Sequence, residues 1–206
     1  MKNLLQINAS LFADGGQSSQ LANQFVSAWR SNNPSAQVKQ HHLANEPVPH
    51  LTAERFQAFL SKPETRTAEQ QAVIDYSDAF INELRAADVI VLGLPMYNFG
   101  VPSMLKAYFD HIGRAGVTFK YTDKGPVGLL TGKKAYVFAA RGGVYLGTPK
   151  DTQSAYIRDF LAFIGITDVE FVYAEGLNMG DAPKQASLAQ AQNEVRQLTQ
   201  AQTLAA

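Results

Sequence analysis

The apolar positions of the chain fall into short continuous runs separated by longer segments with helical spacing. Runs at 4–7, 89–92, 134–140 and 169–173, and a weaker one at 37–43, predict five β-strands. The run at 89–92 is continuously apolar, which is typical of a strand buried on both faces. After the first strand, Leu21, Phe25 and Trp29 mark one face of a helix. Strands and helices therefore alternate along the chain.

The remaining helical segments complete this alternation. They cover 52–84 in two pieces broken at Lys62-Pro63, a stretch with Leu105 and Ile112, the segment 152–164, and the final part from Pro183 onward. Such alternation predicts a parallel sheet with helices on both faces. Five strands in 206 residues fit an α/β, flavodoxin-like, doubly wound five-stranded sheet of order 2-1-3-4-5 in a single domain, 1–206.

One segment departs from the minimal pattern of this fold. Between the third helix and the fourth strand, residues 113–132 form a long excursion. Residues 118–122 alternate like one arm of a hairpin, and the turn residues Asp123-Lys124-Gly125-Pro126 follow. We expect a hairpin-like cover, because long excursions are usually functional or disordered and the aromatic residues here argue against disorder.

Composition excludes several classes of function. Lysine plus arginine and aspartate plus glutamate both number 18, so no basic excess favours nucleic acid or an anionic membrane. The chain has no cysteine, which excludes thiol catalysis, disulfides and cysteine-ligated metal sites. The sequence has neither a signal peptide nor a membrane-spanning run, so we expect a soluble, cytoplasmic protein.

Other common binding motifs are absent or incomplete. No GxGxxG follows a strand, which argues against a Rossmann site for NAD. The segment 125–134 fails as a P-loop because Gly128 and Gly132 are too close and Lys134 replaces the required hydroxyl residue. His41 and His42 lack helical ligand spacing, so we expect surface histidines and no metal.

Candidate chemistry lies in three loops that each follow a predicted strand. The first, 10–19, has Gly15-Gly16 and ends with Ser18 or Ser19 as the expected N-cap of a helix, where free N–H groups can bind phosphate. The second presents the amide and aromatic residues of 96–99 between Pro95 and Pro102, which suits a flat aromatic ligand.

The third loop, Arg141-Gly142-Gly143, lets backbone N–H groups approach a ligand closely. Each loop alone is also consistent with a plain connection or turn. The three are expected at the same edge of the sheet, where open α/β sheets bind ligands. Together they supply a phosphate cradle, an aromatic-amide platform and a row of backbone donors, which is the layout of an FMN site.

Longer motifs make the chain similar to a known family. These are MYNF at 96–99, RAGVTF at 114–119, TGKKA at 131–135, RGG at 141–143 and FIGITDV at 163–169. With them the chain resembles, over essentially its full length, the FMN-dependent NADH:azoreductases, which also act as quinone reductases. The resemblance implies a homodimer with two FMN sites at the subunit interface.

The resemblance also implies a role for particular residues. The phosphate-binding positions are Ser10, Gln17 and Ser18, and the ring-binding positions are Met96, Tyr97, Asn98, Phe99, Ala140, Arg141, Gly142 and Gly143. Gly16 stands where the family often has a hydroxyl residue, so it offers only its backbone, and Ala140 replaces a common serine. Tyr121 and Phe163 match substrate-pocket positions, partly across the dimer interface.

The activity that follows is a two-step, ping-pong reaction. NAD(P)H, with NADH favoured, is expected to pass hydride to FMN, and a quinone or azo compound then receives it. FMN carries the chemistry, so no catalytic side-chain acid is expected. The alternatives are a flavodoxin-like electron carrier without small-molecule turnover and a flavin-binding regulator. Carriers tend to be strongly acidic, and a neutral chain with a long cover fits an enzyme better.

Overall fold

The computed structural model describes residues 2–204, with side chains up to residue 200. Its strands are β1 (Asn3–Asn8), β2 (Gln37–His42), β3 (Val89–Pro95), β4 (Phe119–Thr122), β5 (Gly125–Gly128), β6 (Lys134–Ala140) and β7 (Asp168–Ala174). Five of them form a parallel sheet in the order β2-β1-β3-β6-β7, while β4 and β5 form a separate antiparallel hairpin. Counted within the sheet alone, this order is 2-1-3-4-5, and the predicted parallel α/β sheet is confirmed.

Within residues 2–204, six α-helices connect or follow the strands. They are α1 (Gln17–Asn32), α2 (Ala53–Leu60), α3 (Ala68–Ala86), α4 (Ser103–Ile112), α5 (Thr152–Ile164) and α6 (Asp181–Leu204). The predicted break near Lys62-Pro63 is a 3₁₀ turn at Pro63–Thr65 between α2 and α3. The last helix begins before the predicted Pro183, because proline is tolerated in a first helical turn.

The sheet carries a separate apolar core on each face. Alternate residues of β1 divide between them, since Leu5 and Ile7 pack with α3, α4 and α5 while Leu4 packs with α1 and α6. The three side chains predicted to mark α1, including the fully buried Phe25, belong to the second core. All seven residues of β3 are buried, as expected for the central strand of a sheet covered on both faces.

The predicted hairpin is confirmed, and it packs on the carboxyl end of α5. Leu130 N donates a hydrogen bond to Ile164 O at 2.8 Å, and a Cβ on Gly128 would lie 2.0 Å from Gly165 N. The predicted turn is shorter than expected because Gly125 and Pro126 already pair within β5. Backbone therefore packs directly on backbone where the hairpin meets the helix.

The surface position predicted for His41 is wrong: the residue is 7% exposed and its two ring nitrogens contact carboxylate oxygens of Glu46 and Glu83. These carboxylates come from the following loop and from α3, contacts that local spacing does not reveal.

Within residues 2–204, no helix combines the length and apolar character needed to cross a membrane.

Candidate functional site

A cleft of about 390 Å³ opens at the carboxyl ends of the central strands. β1 pairs with β2 on one side and with β3 on the other, so the cleft lies where the strand order reverses. Predicted site residues that line it are Ser10, Gly16, Gln17, Met96, Tyr97, Ala140, Arg141 and Gly142. The three loops singled out from the sequence therefore meet in one cavity.

The loop after β1 enters α1 by a different route from the one predicted. A 3₁₀ turn at Ala13–Gly15 is followed by Gly16, which is the N-cap residue of α1. The prediction that Ser18 or Ser19 caps the helix is wrong, because both lie within its first turn. The paired glycines and the short 3₁₀ turn start the helix earlier than the capping pattern indicated.

The first turn of α1 presents unpaired donors. Among residues 2–204, no acceptor is found for the backbone N–H groups of Gln17, Ser18 and Ser19. The hydroxyls of Ser18 and Ser19 are buried and also lack a partner in this part of the chain. Free N–H groups at the positive end of a helix dipole favour an anion. This set of donors fits a phosphate group.

The backbone of Gly16 packs closely against the side chain of Ser10. A Cβ on Gly16 would lie 2.0 Å from Ser10 Oγ and 2.6 Å from Ser10 Cβ. Ser10 is 1% exposed, and its Oγ accepts a hydrogen bond from Phe12 N at 3.2 Å. The Ser10 side chain thus fills the space that any side chain at position 16 would need. Its hydroxyl proton has no acceptor within residues 2–204 and can be donated to a ligand.

The loop after β3 is a tight turn in an unusual conformation. Tyr97 and Gly100 exchange backbone hydrogen bonds of 3.3 and 3.0 Å. The two residues between them, Asn98 and Phe99, have φ angles of 49° and 63°. A positive φ is costly for a residue with a β-carbon, and such strain is found preferentially at functional sites. Leu11 N also donates to the Tyr97 hydroxyl at 3.2 Å, which ties this turn to the first loop.

The four residues of this turn do not all face the same space. Met96 and Tyr97 line both the main cleft and an adjoining one of about 530 Å³, which Asn98 also lines. Phe99 is 50% exposed and its ring packs edge-on against Tyr145 at 5.6 Å. The turn therefore presents Asn98 beside the main cleft and Phe99 at its outer rim.

The loop after β6 offers backbone donors. Its carbonyls at 141–143 accept hydrogen bonds of 2.9–3.1 Å from the amides of 176–178 in the loop after β7. The amides of Gly142 and Gly143 have no acceptor within residues 2–204. A Cβ on Gly142 would lie 2.6 Å from Asn178 Nδ2, so the two loops also pack closely. The carbonyls of the third loop are thus paired with the loop after β7, and the amides of Gly142 and Gly143 are available to a ligand.

The side chain of Arg141 points into the protein. It is fully buried, with ion pairs to Asp151 at 2.9 Å and Glu175 at 3.0 Å, and it stacks over the ring of Tyr173. Burial alone would raise the pKa of Asp151, but the Ser154 amide and the Arg141 guanidinium outweigh this and lower it. Arg141 therefore serves the cleft through its backbone, while its guanidinium fixes the surrounding loops.

Some functional positions were missed by sequence reasoning. Leu177, Asn178 and Lys184, from the loop after β7 and the start of α6, also line the cleft. The rule that ligands bind at the carboxyl edge of the sheet applies to the loop after β7 as well, but the residues of this loop form no distinctive sequence pattern. Arg141 and Lys184 are the charged residues of the lining, Arg141 through its backbone, and no aspartate or glutamate of the described part of the chain joins them.

Tyr121 and Phe163 lie far from the cleft of their own chain. Phe163 is near the carboxyl end of α5, where its ring packs 4.1 Å from that of Phe119, and Tyr121 contacts Phe119 edge-on. The amino end of α5 is at the cleft, since Gln153 bonds to Pro95. At 1.5 Å per residue, the helix separates the two ends by roughly 15 Å.

The chain is similar to known proteins over nearly its whole length. Residues 2–199 match the family described as having a flavodoxin-like fold. The chain is 60% identical over 197 residues to the FMN-dependent NADH:quinone oxidoreductase of Cellvibrio japonicus (strain Ueda107), which covers 96% of this chain and 98% of that protein.

Solved structures give the same result. An azoreductase from Bacillus anthracis str. Sterne superposes with a TM-score of 0.89 at 28% identity, covering 97% of this chain and 99% of that one. An FMN-dependent NADH-azoreductase from Bacillus anthracis str. Ames Ancestor, solved in complex with FMN, superposes with a TM-score of 0.85 at 27% identity, covering 97% and 100%. The chain belongs to the flavodoxin-like family and, within it, to the group of the FMN-dependent NADH:quinone oxidoreductases and azoreductases.

Proposed function

We propose that the chain is an FMN-dependent oxidoreductase that uses NADH, in preference to NADPH, to reduce quinones and azo compounds. The observation that carries this is the meeting of unpaired backbone donors and a strained aromatic turn in one cleft of about 390 Å³. The quinone oxidoreductase at 60% identity and the azoreductase structures support the same activity.

At one end of the cleft the chain would hold the FMN phosphate. The amides of 17–19 and the hydroxyls of Ser10 and Ser18 are the donors, and the backbone of Gly16 closes the cradle. These groups carry no formal charge and act with the dipole of α1. Binding would satisfy the buried Ser18 hydroxyl, which otherwise has no partner among the described residues.

At the other end the chain would hold the isoalloxazine ring. Met96, Tyr97, Asn98 and Phe99 would form one wall, and Ala140 with the amides of Gly142 and Gly143 the opposite edge. Bound FMN supplies two-electron hydride chemistry between the nicotinamide and the acceptor. The glycine amides would donate to the ring edge where negative charge develops on reduction. In this arrangement the lining side chains would position the reactants, and the bound FMN would carry the hydride.

We further propose a homodimer in which each cleft is completed by its partner. Tyr121 and Phe163 lie at the opposite end of α5 from the cleft, so they reach a substrate only in another protomer. Large apolar side chains surround the cleft at high exposure, namely Leu11, Phe12, Phe99, Val144 and Leu146. An exposed apolar rim of this kind marks a contact surface. Each protomer would be a single domain, and the activity would lie in the cytoplasm, where NADH is regenerated.

The experiment that tests this function begins with the purified protein. Any yellow cofactor is released and identified, and the holoenzyme is mixed with NADH and then with a benzoquinone or methyl red in separate assays. We expect FMN, and NADH oxidation that depends on the acceptor. If no FMN is recovered and added FMN restores no NADH oxidation, the proposal fails.

The same assay separates an enzyme from an electron carrier. If the flavin is reduced by NADH only through a second protein, the chain is a carrier without small-molecule turnover. Repeating the reaction with NADPH gives the ratio of the two kcat/KM values, which we expect to favour NADH. Sedimentation of the holoenzyme tests the dimer, and a monomer that keeps full quinone activity would contradict the shared site.

A further inference from the structure

The first turn of α5 contacts two of the loops that form the cleft. Asp151 and Ser154 bind the guanidinium of Arg141, which belongs to the third loop. The two residues between them, Thr152 and Gln153, bind backbone carbonyls of the second loop. The N-cap residue of α5 and the first three residues of the helix thus hold two walls of the same cavity.

Gln153 makes two of these hydrogen bonds from a buried position. Its side chain is completely buried, and its amide nitrogen donates to Pro95 O at 2.9 Å and to Gly100 O at 3.2 Å. These carbonyls flank the segment 96–99 on both sides. One side-chain amide therefore fixes the distance between the two ends of the turn. Gln153 is absent from the lining of the main cleft and acts from behind the loop.

Thr152 acts on the middle of the same turn. Its hydroxyl donates a hydrogen bond to the carbonyl of Phe99, one of the two residues with positive φ. Left-handed backbone at a residue with a β-carbon persists only where surrounding contacts determine it. Hydrogen bonds at Pro95, Phe99 and Gly100 supply such contacts.

We propose that Gln153 and Thr152 are positioning residues for the flavin ring. They hold the segment 96–99 in its left-handed turn and so set the placement of Met96, Tyr97 and Asn98 against the ring without touching it. This rests on the proposed function, because it takes the segment 96–99 to be the wall that faces FMN. A misplacement of about 1 Å, even one caused by a change far from the reacting atoms, can lower a rate by about a hundredfold.

The first test compares two buried glutamines in the holoenzyme. Gln153→Met keeps an unbranched, buried side chain of similar length and removes both donors. Gln6→Met is the matched control, because Gln6 is 2% exposed and its amide nitrogen bonds to Asn8 and Asn23, away from the turn. We expect Gln153→Met to lower kcat/KM for NADH by roughly tenfold or more. It should also change the visible circular dichroism of bound FMN, and Gln6→Met should change neither.

A second pair of variants, at Thr152, tests the same proposal if Gln153→Met does not fold. Thr152 is exposed, so replacing it carries little risk to the core. Thr152→Ser retains the hydroxyl, and Thr152→Val removes it at nearly constant volume. We expect the valine variant to alter the flavin circular dichroism and to lower kcat more than it raises KM. The serine variant should restore both properties to the wild-type values.

The outcomes separate this proposal from the proposed function. A wild-type protein that neither binds FMN nor oxidises NADH means that the proposed function fails. If the wild type is active but Gln153→Met and Thr152→Val match their controls in flavin spectrum and kcat/KM, the positioning role is overturned. A loss of thermal stability alone, with the spectrum unchanged, overturns it as well.

Discussion

Placing a serine at position 16 is predicted to weaken FMN binding, although it restores the hydroxyl that the family often has there. From sequence alone, an added hydroxyl beside a phosphate should contribute a further hydrogen bond. In the structure, a Cβ at this position would lie 2.0 Å from Ser10 Oγ and 2.6 Å from Ser10 Cβ. The sequence and the structure therefore predict opposite signs for Gly16→Ser.

The magnitude follows from which contacts can be relieved. Rotating the Ser10 hydroxyl relieves the shorter contact but breaks its hydrogen bond with Phe12 N, at a cost of about 1 kcal/mol. The contact between the two β-carbons persists in every rotamer, so the backbone must move, which typically costs a further 1–3 kcal/mol or so. If the loop must return to this geometry to hold the phosphate, the total of about 2–4 kcal/mol corresponds to roughly 30- to 700-fold weaker binding.

The assay is the quenching of flavin fluorescence as apoprotein is titrated into FMN. Gly15→Ala is the matched control, because a Cβ there would meet Phe12 Cβ at an ordinary 3.8 Å. The double variant Ser10→Gly with Gly16→Ser removes both close contacts and should recover much of the affinity lost by the single variant. The steric reasoning is refuted if Gly16→Ser binds FMN as tightly as the wild type, or more tightly.

Three other predictions follow from separate features. Asn98→Gly removes the side-chain amide, and glycine adopts the positive φ without strain. We therefore expect an altered flavin absorption spectrum and about tenfold lower turnover. An unchanged spectrum and turnover would count against a role for this side chain. Arg141→Leu leaves Asp151 and Glu175 buried without their cation, so the free energy of unfolding from chemical denaturation should fall by about 3–5 kcal/mol. A fall of less than about 1 kcal/mol would contradict a stabilising role for these ion pairs. Burial and the nearby Arg55 lower the pKa of His111 despite its hydrogen bond to Ala107, so the unfolded chain binds a proton more readily. Stability should then fall as the pH drops below about 6.5, and His111→Gln should reduce that slope.

The sheet was predictable because its signals are local. The unbroken apolar run at 89–92 and the helical spacing of Leu21, Phe25 and Trp29 identify their elements without tertiary information. The hairpin was recognised from its alternation and turn residues, although its turn is shorter than predicted. Parallel order then follows from the regular alternation of strands and helices.

Long-range contacts account for what could not be predicted. Nothing near Gln153 in the sequence indicates that its amide reaches two carbonyls more than fifty residues away. His41 is a similar case, because burial between two carboxylates depends on α3 and on the loop after β2. The N-cap of α1 was misplaced because a capping serine and a serine in the first turn differ only in the backbone that precedes them.

The left-handed turn at Asn98 and Phe99 has a consequence for the kinetics of binding. Its conformational cost, of the order of 1–2 kcal/mol per residue, is met when the chain folds and is not repeated with each ligand. Because Thr152 and Gln153 hold this turn by hydrogen bonds within the chain, its order does not depend on the ligand and adds no loop-ordering entropy to association. Cofactor capture should therefore be a docking onto a preformed surface, with a single binding phase whose rate rises linearly with FMN concentration.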